Sequence, residues 1–282
     1  MDLSFIILTW NSERYIEACL CSIYACLQDT ALNYEVFVVD NGSSDQTPRI
    51  LRVHADQHPG CIKPIFLAEN KGTTVSRNLA LRQAAGCYLC VMDSDVELTP
   101  GLFQPLIEVL ETQPGAGMVV PGITYPSGRW QKSTDQFPTF AHKLKRLFRL
   151  RQIERREELV EREQVQVRTV DYAISAFWLC KREVLQKVGF LDEKIFYSPE
   201  DVDYCLRLWR AGYTIYYVPT VSVIHHTQEI SRGFKLNRAK LSHIAGLCYL
   251  FHKHGCFFKR PVFAAPLRSV SQDSGRSRAT VA

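Results

Sequence analysis

Val91-Met92-Asp93-Ser94-Asp95 is an apolar run that ends in two aspartates one residue apart. In a strand, alternate side chains share a face, so Asp93 and Asp95 can both point at one divalent cation where a sheet runs out. That is a phosphate-handling arrangement, and three other polar clusters accompany it. Val38-Val39-Asp40 closes a second apolar run and is followed by Asn41-Gly42-Ser43-Ser44-Asp45, residues that favour a tight turn. Asp40 can be a plain turn aspartate or an acceptor for a base or ribose hydrogen bond. Glu200, Asp201 and Asp203 follow Ser198-Pro199 in the first turn of a predicted helix, where the helix dipole stabilises carboxylates. Capping explains one of the three; the set points to a positioned base that takes a proton from an attacking hydroxyl. His225-His226 ends a strand, and a neutral imidazole joining two aspartates would complete a divalent-metal site. A solvent-facing strand end is its ordinary alternative.

Asp93 and Asp95 have rivals of their own. Solvated turn carboxylates are one, and aspartyl phosphohydrolases begin their site with a similar strand and Asp-x-Asp. Those enzymes want Thr or Val two residues past the second aspartate, where this chain has Glu97, and they place the pair on the first strand. Here several elements precede it, so binding of a metal diphosphate is the favoured reading.

These clusters need a scaffold that brings strand ends together. Residues 3 to 9 and 34 to 39 are runs of β-formers, and Ile16, Leu20, Ile23 and Leu27 recur between them at helical spacing, which makes a β-α-β unit. Thr47-Pro48 predicts an N-cap with proline at the first helical position, followed by a strand over 62 to 67 and a helix over 75 to 85. After the strand ending at Asp93, Thr99-Pro100 predicts a helix through Leu110, and Tyr125-Pro-Ser-Gly128 a turn. Residues 141 to 163 read as a helix with a charged face. A strand over 167 to 173, a helix over 181 to 188, a helix from Ser198-Pro199 through Arg210 that stops at Gly212, strands over 214 to 218 and 221 to 224, and a helix over 236 to 254 complete the pattern. Alternation of this kind implies right-handed crossovers and a mostly parallel sheet with helices on both faces, with ligands beyond the carboxyl ends of the strands.

With 282 residues, 46% hydrophobic and 22% charged, the chain is an ordinary globular protein. The net charge of +5 is modest and uneven, with seven basic residues concentrated in 142 to 156; that is a local feature and gives no indication of nucleic-acid binding. The ten cysteines form no framework. Cys87 and Cys90, three apart in a predicted strand, face opposite sides, so reduced thiols in a reducing cytoplasm are expected. No signal peptide and no run long enough for a membrane span is evident.

Taken together the residues resemble glycosyltransferase family 2, inverting enzymes with the GT-A fold. The resemblance rests on Phe5 to Asn11, Val38 to Thr47, Glu69-Asn70-Lys71-Gly72, Arg77-Asn78, Met92 to Asp95, Ser175 to Val184 and Gly189-Phe-Leu-Asp-Glu to Gly212, in order over about residues 3 to 230. Its nearest branch is rhamnosyltransferase-like or galactofuranosyltransferase-like. It implies that Asp40 binds the nucleotide base with Thr9, Asn11 and Glu13 near base and ribose, and that Asn70, Arg77, Asn78, Asp93 and Ser94 line the donor site. It further implies that Asp93 and Asp95 hold Mg2+ or Mn2+ on the donor diphosphate, with His225 joining them, although His226 next door competes. Asp201 matches the catalytic base, and Trp178, Glu200 and Asp203 fall on the acceptor side. The Gln-x-x-Arg-Trp signature of processive synthases is missing, so one sugar per binding event is expected.

The expected enzyme transfers a sugar from a UDP-, dTDP- or GDP-sugar to a glycan or lipid-linked acceptor, as in cell-envelope polysaccharide synthesis. Residues 1–122 form its donor half, 123–255 its acceptor and base half within the same domain, and 256–282 a disordered tail. A cytoplasmic location is expected, with peripheral contact at the inner face of the plasma membrane through the basic segment, which a merely solvated face would equally explain. A sugar nucleotidyltransferase is the alternative, but Trp10-Asn-Ser-Glu-Arg does not provide its glycine-rich basic loop. A nucleotide-binding module without turnover is a further one, discouraged by the intact region around Asp201.

Overall fold

The computed structural model describes residues 1–139, 166–227, 238–255, 261 and 263, the helix of residues 238–254 by its side chains from His243 onward. The charged helix expected over 141 to 163, the basic segment and the tail from 256, apart from Pro261 and Phe263, lie outside the described residues.

The chain alternates as its hydrophobic periods require: β1 (Leu3–Thr9), α1 (Ile16–Leu27), β2 (Tyr34–Asp40), α2 (Thr47–Gln57), β3 (Ile62–Phe66), α3 (Thr73–Leu81), β4 (Tyr88–Asp93), β5 (Val96–Glu97), α4 (Phe103–Thr112) and β6 (Ala116–Thr124). Short strands β7 (Trp130–Gln131), β8 (Thr134–Asp135), β9 (Arg168–Thr169) and β10 (Tyr172–Ala173) follow, then β11 (Phe177–Lys181), α5 (Arg182–Val188), α6 (Glu200–Arg210), β12 (Thr214–His225) and α7 (Arg238–His254). The main sheet runs β3-β2-β1-β4-β11-β6-β12-β5, with β7 on β6 and β9 on β12. β1 is parallel to β2 and β4, β2 to β3, and β6 to β12, whereas β11 lies antiparallel between β4 and β6.

Alternate residues of the central strands feed two cores. Phe5, Ile7, Val36 and Val38 pack with Cys19, Leu20 and Ile23 of α1 and Leu106 of α4 on one face. Ile6, Phe37, Val39 and Val91 pack with Ala80 of α3, Val184 of α5 and Val202, Leu206 and Leu208 of α6 on the other. A sheet covered on both faces explains why its strands read as continuous apolar runs.

Several expected details differ. β11 is an additional strand, lying between the strand expected over 167 to 173 and the helix expected over 181 to 188. The expected strand 167 to 173 is instead two short strands in different sheets, β9 on β12 and β10 on β8. Strands 214 to 218 and 221 to 224 are one strand with an irregularity around Pro219, whose missing N–H interrupts the ladder. The Thr-Pro and Ser-Pro helix starts also shift. Helix α2 starts at Thr47 itself, whose N–H is accepted by Asp45 Oδ1 at 3.0 Å; α4 starts only at Phe103; and Pro199 precedes α6 as its cap residue. Among the described residues five cysteines are buried and none is bridged; Cys87, expected in the strand with Cys90, is exposed just ahead of β4, while Cys90 is buried within it.

Helix α7 is fastened to α6 through Asp203, which is 1% exposed. Asp203 accepts hydrogen bonds from His254 Nε2 at 2.7 Å, Lys253 Nζ at 2.6 Å and Arg207 Nε at 2.9 Å. Burial alone would raise its carboxyl, but these donors outweigh burial and bring it down to about 2. The folded value lies below the unfolded one of about 3.9, so the stabilisation is complete above pH 4 and is lost as pH falls from about 4 to about 2. Asp203→Asn is expected to cost on the order of 2 kcal/mol at neutral pH, and to flatten that acid-induced loss. Urea melts of both proteins from pH 7 to pH 2.5 check this; parallel curves at the two extremes would contradict it.

Candidate active site

Four strand ends and one helix start meet at the carboxyl edge of the sheet. β4 ends at Asp93, and the turn through Ser94 and Asp95 returns the chain into β5, which pairs with the end of β12 so that Val96 lies opposite His225. The nearest ligand atoms of Asp93, Asp95 and His225 all lie within 4.8 Å of one another. His225 Nε2 is 3.4 Å from Asp95 Oδ1, and its other ring nitrogen is 3.1 Å from Gln131 Oε1, which places the proton on Nδ1 and turns Nε2 toward the aspartates. Burial lowers the affinity of His225 for a proton, but the hydrogen bond and charge of Asp95 overcome it and raise the imidazole. His226 faces elsewhere: its Nε2 sits 2.6 Å from Glu97 Oε1 and its ring lies against Tyr15. The competition between the two histidines is thereby decided in favour of His225 as the residue beside the pair. Two carboxylates and an oriented imidazole are a donor set that suits Mg2+ or Mn2+. Ser94 turns away from this cluster and donates to Ser12 Oγ at 2.9 Å.

Asp93 also meets Arg77, whose side chain is 1% exposed. Arg77 Nη2 donates to Asp93 Oδ1 at 2.5 Å and to the Ser175 carbonyl at 3.2 Å, while Nη1 lies 3.5 Å from Glu200 Oε1. Ser175 Oγ donates to the same Glu200 oxygen at 2.9 Å. One buried guanidinium therefore joins the aspartate cluster to the carboxylates that open α6. Burial and then the charge of Asp201 push Glu200 up to about 8. Asp201, the next residue, is half-buried and accepts from the Val202 N–H at 2.8 Å. Tyr197, 39% exposed, lies in the field of Asp93, Glu200 and Asp201 together.

Across the sheet, Thr9 and Asp40 are register partners at the ends of β1 and β2. Thr9 Oγ1 and Asp40 Oδ1 are both buried and have no hydrogen-bond partner, a state that costs about 1–3 kcal/mol per group. Burial raises Asp40 despite the hydrogen bond from Ser43. Asn11, at φ +49°, and Glu13 seal the rim by accepting from the Ser44 N–H and the Gln46 N–H, each at 2.9 Å.

Other expected site residues serve the frame. Asn70 Oδ1 accepts from Asn41 Nδ2 at 3.0 Å and from the Gly72 N–H at 2.9 Å, shaping the loop between β3 and α3. Asn78, expected to line the donor pocket, is fully buried and bound to Leu191 and Glu193. Trp178, expected on the acceptor side, is 1% exposed and stacks on Tyr204 while donating to the Ala173 carbonyl at 3.1 Å; it is a core residue because β11 is covered on both faces. Asp203, expected on the acceptor side, points to α7, since it lies two residues from Asp201 and so about 200° around the helix from it. Gln131 and Ser175 went unassigned in the sequence, because neither has a motif and each meets its partner only through the fold.

The sequence model of glycosyl transferase family 2 matches residues 4–189. An N-acetylglucosaminyl-diphospho-decaprenol L-rhamnosyltransferase of Mycobacterium tuberculosis is 26% identical over 274 residues, covering 92% of this chain and 87% of that protein. Among solved structures, the mannosyltransferase PcManGT from Pyrobaculum calidifontis, in complex with GDP-Man and Mn2+, superposes with a TM-score of 0.62 at 21% identity. It covers 92% of this chain, which spans 65% of that one. GalNAc-T7 with UDP, GalNAc and Mn2+ superposes with a TM-score of 0.65 at 13% identity, over 89% of this chain and 48% of that one. The shared architecture is the GT-A fold: a mostly parallel sheet between helices.

Proposed function

Because the chain belongs to glycosyl transferase family 2, and is therefore a glycosyltransferase that draws on a nucleotide sugar, we propose that it is a metal-dependent inverting enzyme with Asp201 as its general base. The observation that carries this reading is Arg77, which touches Asp93 and Glu200 at once and so makes the aspartate cluster and the start of α6 a single site. Thr9 and Asp40 accept hydrogen bonds from the nucleobase, which would satisfy their two unpartnered oxygens. A divalent cation held by Asp93, Asp95 and His225 would neutralise charge on the departing diphosphate. Asp201 takes the proton of the acceptor hydroxyl as its oxygen bonds to the anomeric carbon and the bond to the diphosphate breaks. A single displacement of this kind inverts the anomeric centre. Arg77 keeps Asp93 in place during it.

Glu200 enters as a neutral neighbour of the base. With its carboxyl at about 8 it holds a proton at pH 7, which spares Asp201 a second negative charge. Glu200→Gln is accordingly expected to keep transfer at pH 7 within about ten-fold of the native rate, and to remove the decline that the native enzyme shows as Glu200 ionises above pH 8. A kcat profile from pH 6 to pH 9.5 checks both; a far larger loss at pH 7 would make Glu200 itself the base.

The acceptor we propose is a lipid-linked glycan, supported by the name and the near full-length match of the mycobacterial relative. Work would then occur at a membrane surface, although among the described residues no helix is long and apolar enough to cross a membrane. Incubation with UDP-, dTDP- and GDP-sugars and a prenyl-diphosphate N-acetylglucosamine, with Mn2+ or with EDTA, tests the reading through release of nucleoside diphosphate. Release that requires both the acceptor and Mn2+ is expected. Release of pyrophosphate from a sugar 1-phosphate and a nucleoside triphosphate would replace this reading with a nucleotidyltransferase.

A further inference from the structure

Helix α7 meets the chain just ahead of the proposed base at unusually short range. A Cβ at Gly246 would lie 2.2 Å from the Ser198 carbonyl oxygen and 3.0 Å from Pro199 Cδ, so only glycine permits the approach. One turn earlier His243 Nδ1 is 3.0 Å from Ser198 Oγ. Further along, Tyr249 donates to Asp192 Oδ2 at 2.8 Å and Lys253 Nζ to the same oxygen at 2.6 Å. His254 and Lys253 then grip Asp203 from the other side of Asp201. The contacts of α7 thus bracket residues 199 to 202, with Asp201 half-buried between them.

We propose that α7 is a positioning element for the catalytic carboxylates, with Gly246 the residue that lets it seat against Ser198-Pro199. The proposal rests on Asp201 being the base. Both α7 and the start of α6 that it braces lie beyond residues 4–189, the part matched by the family model. A methyl group at 246 must push α7 and the 198–199 turn apart by about an ångström, a displacement of the kind that costs on the order of 10²-fold in rate when it moves a reacting group. The atoms nearest that methyl group belong to Ser198 and Pro199 and not to the ends of β1, β2, β4 and β12, which meet the start of α6 through Arg77 and Glu200.

The experiment compares the native protein with Gly246→Ala in three readouts: kcat and donor KM for nucleotide release, Mn2+-dependent binding of UDP, dTDP and GDP, and amide exchange of residues 198–203. The expected result is a kcat lower by roughly 10²-fold with donor KM and nucleotide binding unchanged, and faster exchange confined to 198–203. Native kcat and native exchange in the variant would overturn the proposal. Should Gly246→Ala fail to fold, His243→Ala and His243→Asn take its place. A loss of kcat in the alanine variant that asparagine restores supports positioning, and equal native kcat in both overturns it. If the native protein releases no nucleotide from any sugar donor, the glycosyltransfer reading of the site fails separately, and the exchange arm still decides whether α7 holds the turn.

Discussion

Asp201→Asn is expected to lower sugar transfer by roughly 10²- to 10⁴-fold while leaving nucleoside diphosphate affinity as it was. Asparagine keeps the shape of the side chain and can still accept from the Val202 N–H, as Asp201 does. It cannot take a proton. Asp201 lies in the first turn of α6, where the helix dipole suits a carboxylate, and burial and the charge of Asp201 raise the neighbouring Glu200. Donor binding depends on strand ends that Asp201 does not touch, so the loss falls on kcat and not on KM. Steady-state kinetics with saturating donor measure the split. A variant with native kcat would move the base elsewhere, and an equal loss in kcat and nucleotide affinity would make Asp201 part of the donor site.

The second large effect is expected at the metal cluster. Asp95→Ala removes one of two carboxylates and the acceptor that faces His225 at 3.4 Å. Loss of an orienting partner alone typically costs 10- to 100-fold in metal affinity, and loss of a ligand costs at least that. In calorimetric titrations with UDP, dTDP and GDP, the native protein is expected to bind one nucleotide with Mn2+ and to bind it far more weakly with EDTA. Asp95→Ala is expected to bind at the EDTA level whether or not Mn2+ is present. Retention of full Mn2+-dependent affinity would show that Asp93 and His225 suffice or that the cation sits elsewhere. Asp93→Ala is a poorer probe, because it also frees the buried charge of Arg77.

Much of the donor half is legible in the sequence because its signals are local. Apolar runs ending in Asp40 and Asp93 state both the strand and the place where it stops, and the 3.6-residue spacing of Ile16, Leu20, Ile23 and Leu27 states the helix between. The second half is less legible because its pairing is not local. β11 is a five-residue strand, four of its residues apolar, that enters α5 without a turn residue, and its antiparallel place between β6 and β4 depends on strands about 60 and 90 positions away. The same cause hides Gln131 and Ser175. His225 and His226 illustrate a different limit: alternation says that the two face opposite ways, and only the pairing of β12 with β5 says which one faces the aspartates. Glu200, Asp201 and Asp203 share a helix turn but not a direction, so one meets Arg77, one stands half-buried and one is consumed by α7. Trp178 misled because an aromatic in a family-like segment reads as a binding residue, whereas a doubly covered strand buries it.

The measurement that bears most directly on the central claim is the anomeric configuration of the bond made in a single turnover, read by proton NMR on the transferred sugar. A one-step displacement with Asp201 as base gives a glycosidic bond of configuration opposite to that of the nucleotide sugar. Retention of the donor's configuration would require a second displacement or a front-side attack, and would contradict the role assigned here to Asp201.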